Sequence, residues 1–340
     1  MNKSALYIMA PMIDRSYEAD GYLGALKELG WNTFQYHPHT KTEIRDLIVN
    51  HNLCLIFAPS KYGVRQLPID TINEYSVCVV VKPLLFMQDD TDLNRLKEIK
   101  NLLIESPISP SVTEEYLPKW CDAGLEPLQI LPAVDLKSAM PESLNKTLDI
   151  AVVTSHADKE LVNWIKTIAD RATINRFTIE IVDLTKTDLP SIINMIGRAK
   201  MVCSLHDQTH RLRLKTINQF DLLSMLCGSS LVTNNLAVSQ IFKLDDVVLA
   251  ETITQIVNHI EHTLPNYERP TKELLRISTL VAHKHSYFNR LMQIFRCFRQ
   301  SRYIEPLETA SGRLSIQHVW EMQARSESKE LVYGQSANIS

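Results

Sequence analysis

Residues Arg198–Asn235 read R-A-K-M-V-C-S-L-H-D-Q-T-H-R-L-R-L-K-T-I-N-Q-F-D-L-L-S-M-L-C-G-S-S-L-V-T-N-N. Met201–Leu205 is a short apolar run with the makeup of a buried strand, and Ser230–Thr233 is another. Between them lies a polar loop with His206, Asp207, His210, Arg211, Arg213 and Lys215. A helix follows from about Thr216 to Leu226, capped by Gly228. Strands separated by a helix pair in parallel, because a parallel pair needs a long crossover connection. The stretch is therefore one unit of an α/β fold.

The alternation continues in both directions. Downstream come strand Val247–Leu249 and helix Thr252–His262. Upstream come strand Leu148–Val153, helix Asp158–Ala169, strand Phe177–Val182 and helix Leu189–Arg198, whose Leu189, Ile192, Ile193 and Ile196 form a helical stripe. The first part of the chain repeats the pattern: strand Ala5–Ala10, helix Tyr17–Leu29, strand Trp31–Tyr36, helix Thr42–Asn52, strands Leu53–Ala58 and Ser76–Val81, and helix Asp92–Asn101. Pro132, Pro141 and the polar Glu142–Lys146 read as a linker. The expected organisation is two Rossmann-like α/β domains, 1–145 and 146–298, with a segment 299–340 that crosses back. A long amphipathic segment spans Thr271–Arg299, and one further helix is expected over Leu314–Arg325.

Composition narrows the function classes. With 45% hydrophobic and 22% charged residues over 340 positions, the chain can bury a substantial core. A net charge of -3 supplies no global field for nucleic acid. Six cysteines without a C-x-x-C pair read as reduced thiols in a cytoplasmic protein. No run of apolar residues is long enough to span a bilayer, and Met1–Pro11 reads as a first buried strand rather than a leader.

Glycine is scarce: nine residues, against roughly 24 at average usage. The turn after the first strand reads P-M-I-D-R-S-Y-E-A-D and its counterpart in the second half T-S-H-A-D-K-E. Neither has the glycines that let backbone approach a pyrophosphate, and there is no G-x-x-x-x-G-K-[ST]. Dinucleotide-dependent oxidoreductases and P-loop NTPases are disfavoured. A phosphate site must instead use side chains, and Arg211, Arg213 and Lys215 before a helix N-terminus suit a diphosphate. His206, at a strand's carboxyl end, and Lys159, in the turn after Leu148–Val153, join them as candidates; His156 and His210 are weaker ones.

On Met201–His206, Ser224–Gly228, Ser230–Asn234 and the later H-K-H-S-Y-F-N-R at His283–Arg290, the chain resembles the nucleotide-sugar-binding half of GT-B glycosyltransferases. The likeness is greatest to group-1-like and spore-coat-associated members. It implies two domains facing across a cleft, with a C-terminal helix crossing back. It also implies a sugar transferred, without a metal or other cofactor, from a nucleotide-diphosphate sugar to a glycan, protein or small-molecule acceptor. Asp221 and Asn234 would then join the donor contacts. The family usually has a glutamate five residues before the motif glycine, where this chain has Leu223; Asp221 is two residues away, on another helix face.

Inverting transfer needs a base for the acceptor hydroxyl. Asp14, His37 and Asp89 sit at expected strand ends, with His39 and Asp90 beside them. Asp89-Asp90-x-Asp92 could also group around a metal, although Asp92 reads better as a helix cap. Arg290, Arg296, Arg299 and Arg302, interleaved with Phe295, Phe298 and Tyr303, suit either a membrane-surface helix or one packed back on the fold. Leu223 and the glycine-poor loops leave open a non-catalytic scaffold or partner subunit. A third reading has a modified nucleic-acid base as acceptor.

Overall fold

The computed structural model describes residues 3–11, 16–38, 42–82, 90–109, 113–142, 144–154, 159–183, 187–208, 211, 215–239, 241–243, 246–267 and 271–336. The chain forms two compact units. The first comprises Met1–Leu131 and Tyr287–Ser311, the second Pro132–Ser286 and Gly312–Ser340. The expected divisions stand at 145/146 and 298/299; the two units divide at 131/132, 286/287 and 311/312. Val134 bridges to Ser286, and its N–H donates to His285 O at 2.9 Å, so the first two of these crossings are anchored at one place in the second unit.

The first unit runs β1 (Ser4–Ile8), α1 (Tyr17–Glu28), β2 (Asn32–Tyr36), α2 (Ile44–His51), β3 (Leu53–Ala58), α3 (Lys61–Arg65), α4 (Ile69–Glu74), β4 (Cys78–Val81), α5 (Asp90–Lys97), β5 (Leu102–Ser106), α6 (Thr113–Tyr116), α7 (Pro118–Asp122) and β6 (Leu128–Gln129). Its sheet has the order β2-β1-β3-β4-β5-β6, all parallel. Its inner strands β1, β3 and β4 are near-continuous apolar runs, as burial on both faces requires, while the edge strands β2 and β6 are partly exposed. The helices α3 and α4 were not expected; five and six residues are too few for a helical stripe to show in sequence.

The second unit runs β7 (Leu148–Thr154), α8 (Lys159–Ile174), β8 (Ile179–Asp183), α9 (Leu189–Arg198), β9 (Ala199–Ser204), α10 (Gln219–Leu226), β10 (Ser230–Thr233), α11 (Leu236–Ser239), β11 (Val247–Leu249), α12 (Ile253–Thr263) and α13 (Thr271–Lys284). The order is β11-β10-β9-β7-β8, again parallel. Both sheets wind alike, one way from the first strand and then the other. The reversal leaves a crevice at the carboxyl ends of β1 and β3 in one unit, and of β7 and β9 in the other.

The amphipathic segment expected over Thr271–Arg299 is two helices, α13 and α14 (Tyr287–Cys297), parted at His285-Ser286 where the chain leaves the second unit. The last helix, α15 (Ile304–Ser336), is 33 residues long and extends past the expected Leu314–Arg325 at both ends. Phe295 and Arg290 of α14 are buried in the first unit: Phe295 packs on Trp31 and Tyr303, and Arg290 Nε donates to Leu131 O at 2.6 Å. Of the residues that would make a membrane-surface helix, Arg290 and Phe295 thus belong to a protein core, whereas Arg296, Arg299 and Arg302 are exposed. Among the described residues no helix is long and apolar enough to cross a membrane.

Glycine scarcity has a backbone counterpart. Gly30, Gly124 and Gly228 take positive φ just after helices, but Asn52, Ser76, Arg176, Lys215 and Arg299 also adopt that conformation. All six cysteines are free. Burial pushes the thiols of Cys203 and Cys227 up to about 12, which makes them packing groups.

Candidate functional site

The N–H of Leu205 donates to Val153 O at 3.1 Å, so the chain leaves β9 beside β7 and delivers His206 to the crevice of the second sheet. There Asn234 clamps its backbone: Asn234 Oδ1 accepts from His206 N at 2.8 Å, and Asn234 Nδ2 donates to His206 O at 2.9 Å. The imidazole turns inward. Its Nε2 lies 3.3 Å from Asp221 Oδ1 and 3.4 Å from Ser204 Oγ, and Nδ1 lies 3.5 Å from Asn235 Nδ2. An ionised carboxylate only accepts and an amide nitrogen only donates, so these partners assign the proton to Nε2 and leave Nδ1 as acceptor.

Asp221 is fully buried and does two jobs. Its other oxygen accepts from Asn218 N at 2.8 Å, closing the capping box that starts α10 at Gln219, three residues later than the sequence suggested. Asn235 Nδ2 donates to Thr216 O at 2.6 Å. Four buried polar residues, His206, Asp221, Asn234 and Asn235, thus tie the ends of β9 and β10 to the start of α10.

The basic side chains stand on this frame. Arg211 Nη2 lies 3.3 Å from Glu160 Oε1, and its guanidinium sits 5.6 Å from the Trp164 ring centre, so α8 fixes it from one side. Its Nε is closed to solvent and has no hydrogen-bond partner among the described residues. Lys215 is exposed, in the left-handed region at φ 50°. Both face a cavity of about 350 Å3, lined otherwise by Asn234, Leu236, Ala237, Leu249 and Glu251. The walls offer two cations, one carboxylate and an apolar stretch between them. That combination suits an anion attached to a flatter, less polar body.

Of the expected donor contacts, Arg211, Lys215 and Asn234 come together at this cavity. His206 and Asp221 lie behind it, with their hydrogen-bonding groups turned to each other. Lys159 is exposed at the first residue of α8, next to the Glu160 that holds Arg211. Arg213, His210 and His156 lie outside the described residues, as do Asp14, Asp89 and His39. His37 follows β2 and is half-buried. Asp92 is buried and bound to Arg65, Nε to Oδ1 at 3.0 Å, with Lys61 at 3.6 Å. Among the described residues no group of three His, Cys, Asp or Glu side chains is placed to hold a metal ion. Leu223 is 1% exposed and packs in the core of the second unit.

Sequence reasoning missed Glu251, Asn235 and the Glu160–Trp164 support of Arg211. The strand-end rule that picked out His206 applies equally to Asn235 after β10 and Glu251 after β11. The α8 support has no signal in sequence, since it depends on how α8 packs beside the loop.

No protein-family model matches the chain, and no curated protein matches it in sequence. Solved structures do. AviGT4, described as a glycosyltransferase involved in avilamycin A biosynthesis, is 11% identical over 92% of this chain and 98% of its own, with a TM-score of 0.54. Alr3699/HepE of Anabaena, solved in complex with UDP-glucose, is 10% identical over 87% of this chain and 99% of its own, with a TM-score of 0.56. The likeness is one of fold, and the two parallel α/β units give this chain the GT-B fold.

Proposed function

We propose that the protein is a glycosyltransferase that takes a sugar from a nucleotide-diphosphate sugar held at the 350 Å3 cavity of the second unit. The observation that carries this reading is the convergence of Arg211 and Lys215 on that cavity, at the carboxyl ends of parallel strands, in a chain without glycine-rich phosphate loops. The fold shared with a glycosyltransferase and with a protein solved with UDP-glucose supports it.

In this reaction the bond from the anomeric carbon to the diphosphate oxygen breaks and its electron pair leaves with the diphosphate. The acceptor oxygen bonds to the anomeric carbon and its proton passes to a base. Arg211 and Lys215, with Arg213 between them in sequence, meet the charge that develops on the leaving group, in place of a metal ion. Arg211 is pre-positioned by Glu160 and Trp164, so it need not reorganise as the charge forms. Leu236, Ala237 and Leu249 provide an apolar wall for the nucleoside, and Glu251 can accept from its hydroxyls. His37, Asp14 and Asp89 are the candidate bases on the first unit. The setting is the cytoplasm.

Release of nucleoside diphosphate from UDP-, GDP-, CDP- and dTDP-sugars tests this. One of them should give up its nucleotide slowly to water and faster with an acceptor, and Lys215→Ala should lower the rate. A second reading, a non-catalytic partner subunit, is favoured by the buried leucine at position 223. It predicts no release from any donor.

A further inference from the structure

The first unit carries a cluster of charged groups at the carboxyl end of its own sheet. Glu105, the next-to-last residue of β5, is 3% exposed, Lys82 directly follows β4, and Glu18 lies in the first turn of α1. The Lys82 ammonium is 2.5 Å from Glu18 Oε1 and 3.4 Å from Glu105 Oε1. Tyr22 Oη donates to Glu105 Oε1 at 3.0 Å. Burial works against the ammonium, but Glu105 and Glu18 outweigh it and hold Lys82 protonated. Burial, with Lys82 opposing, raises the Glu105 carboxyl above its ordinary range. Arg290 of α14 also acts electrostatically on this carboxylate.

Two features leave the cluster incomplete among the described residues. Glu105 Oε2 is closed to solvent and has no hydrogen-bond partner among the described residues, a state that native folds rarely keep. The side chains of Lys82 and Glu18 are 24% and 26% exposed, so the cluster is open on their side. An ammonium has three N–H donors, and the two carboxylates take two.

We propose that Glu18, Lys82 and Glu105 form a binding site for a neutral, hydroxyl-bearing ligand, a sugar or similar polyol. A hydroxyl both donates and accepts, which matches carboxylate oxygens set beside an ammonium. A phosphate or carboxylate only accepts and would meet two carboxylates, whereas a metal ion would meet the ammonium. Lys82 and Glu18 make the contacts. Glu105, behind them, is a positioning residue that fixes the direction of the ammonium. All three residues lie at the carboxyl end of the sheet, the side on which open parallel sheets hold ligands. Only the ligand's role as sugar acceptor rests on the transferase reading; the binding itself does not.

Saturation-transfer NMR on the full chain, without nucleotide, tests this with methyl β-D-glucopyranoside, methyl β-D-galactopyranoside and myo-inositol, and with glucose 6-phosphate as the charged comparison. At least one neutral compound should give difference signals, and the phosphate should give none. Glu18→Gln should weaken binding by about tenfold or more, while Lys215→Ala leaves it unchanged. Glu105→Gln, which keeps the shape, should also weaken it. Absence of signal from all three neutral compounds overturns the proposal. So does an unchanged signal in Glu18→Gln and Glu105→Gln proteins whose circular dichroism matches the parent. Failure of nucleotide binding alone would overturn the transferase reading and leave this site standing.

Discussion

His206 Nε2 and Asp221 Oδ1 lie 3.3 Å apart inside the second unit, and the pair joins the end of β9 to the capping box of α10. Asp221→Ala should therefore act on stability first. It leaves Asn218 N–H without its acceptor and the imidazole N–H with only Ser204 Oγ at 3.4 Å, and the lost cap and the weakened ring contact together cost about 2–3 kcal/mol. Urea denaturation should show a matching fall in midpoint at unchanged slope.

Position 223 makes a different demand. Leu223 is packed in the core, so Leu223→Glu introduces the glutamate that the sequence resemblance places here but buries an unpaired carboxylate. The variant should lose several kcal/mol, roughly 3–5 by analogy with an unpaired buried charge, and gain no nucleotide affinity. Retained stability with tighter nucleotide binding would show that the helix presents this position to the ligand.

Two glycines of α1 should respond in opposite ways. A Cβ at Gly21 would run into the ring of Tyr287, whereas nothing lies near a Cβ at Gly24. Gly24→Ala should stabilise the protein by about 0.5–1 kcal/mol through helix propensity. Gly21→Ala should cost about 1–3 kcal/mol through overpacking of α1 against α14. Thermal unfolding of the two variants side by side checks both signs.

Stability should also fall on mild acidification. Burial holds the imidazole of His318 in α15 down to about 4, against 6.5 for an exposed histidine. Above 6.5 the ring is neutral in folded and unfolded chains alike. Between 6.5 and 4 the unfolded chain takes up a proton that the folded chain resists, so stability drops as pH falls, by about 2 kcal/mol at pH 5. Urea midpoints measured from pH 7 to pH 5 should slope accordingly, and His318→Leu should flatten that part of the slope.

The sheets were legible because their strands are β-branched or otherwise apolar runs, Val77–Val81 and Ile150–Val153 among them, and because Gly30, Gly124 and Gly228 mark helix ends. The start of α10 was misplaced because its capping box is Asn218 with Asp221, not the more familiar Ser or Thr with Glu. The strand-end rule located the neighbourhood of the candidate site but not the direction of its side chains. His206 turns inward because Asp221 and Asn235, 15 and 29 residues away, receive its ring, and no local pattern encodes that. The cluster in the first unit did leave a trace: Lys82 interrupts the apolar run that starts at Val77, and Glu105 sits inside a strand. A charge at such a position signals a buried partner, and only the fold names it.

The donor site is tested most directly by the melting temperature of the full chain with UDP, GDP, CDP or dTDP, in parent and Lys215→Ala proteins. At about a hundredfold excess over Kd, a ligand that binds only the folded state adds about 2.7 kcal/mol, which corresponds to a rise of roughly 4 °C for a chain of 340 residues. One nucleotide should raise the parent's Tm by that amount, and Lys215→Ala should remove most of the rise without lowering the ligand-free Tm. Absence of a shift with all four nucleotides, or an equal shift in the Lys215→Ala protein, would contradict the assignment of the Arg211–Lys215 cavity as the nucleotide-diphosphate site.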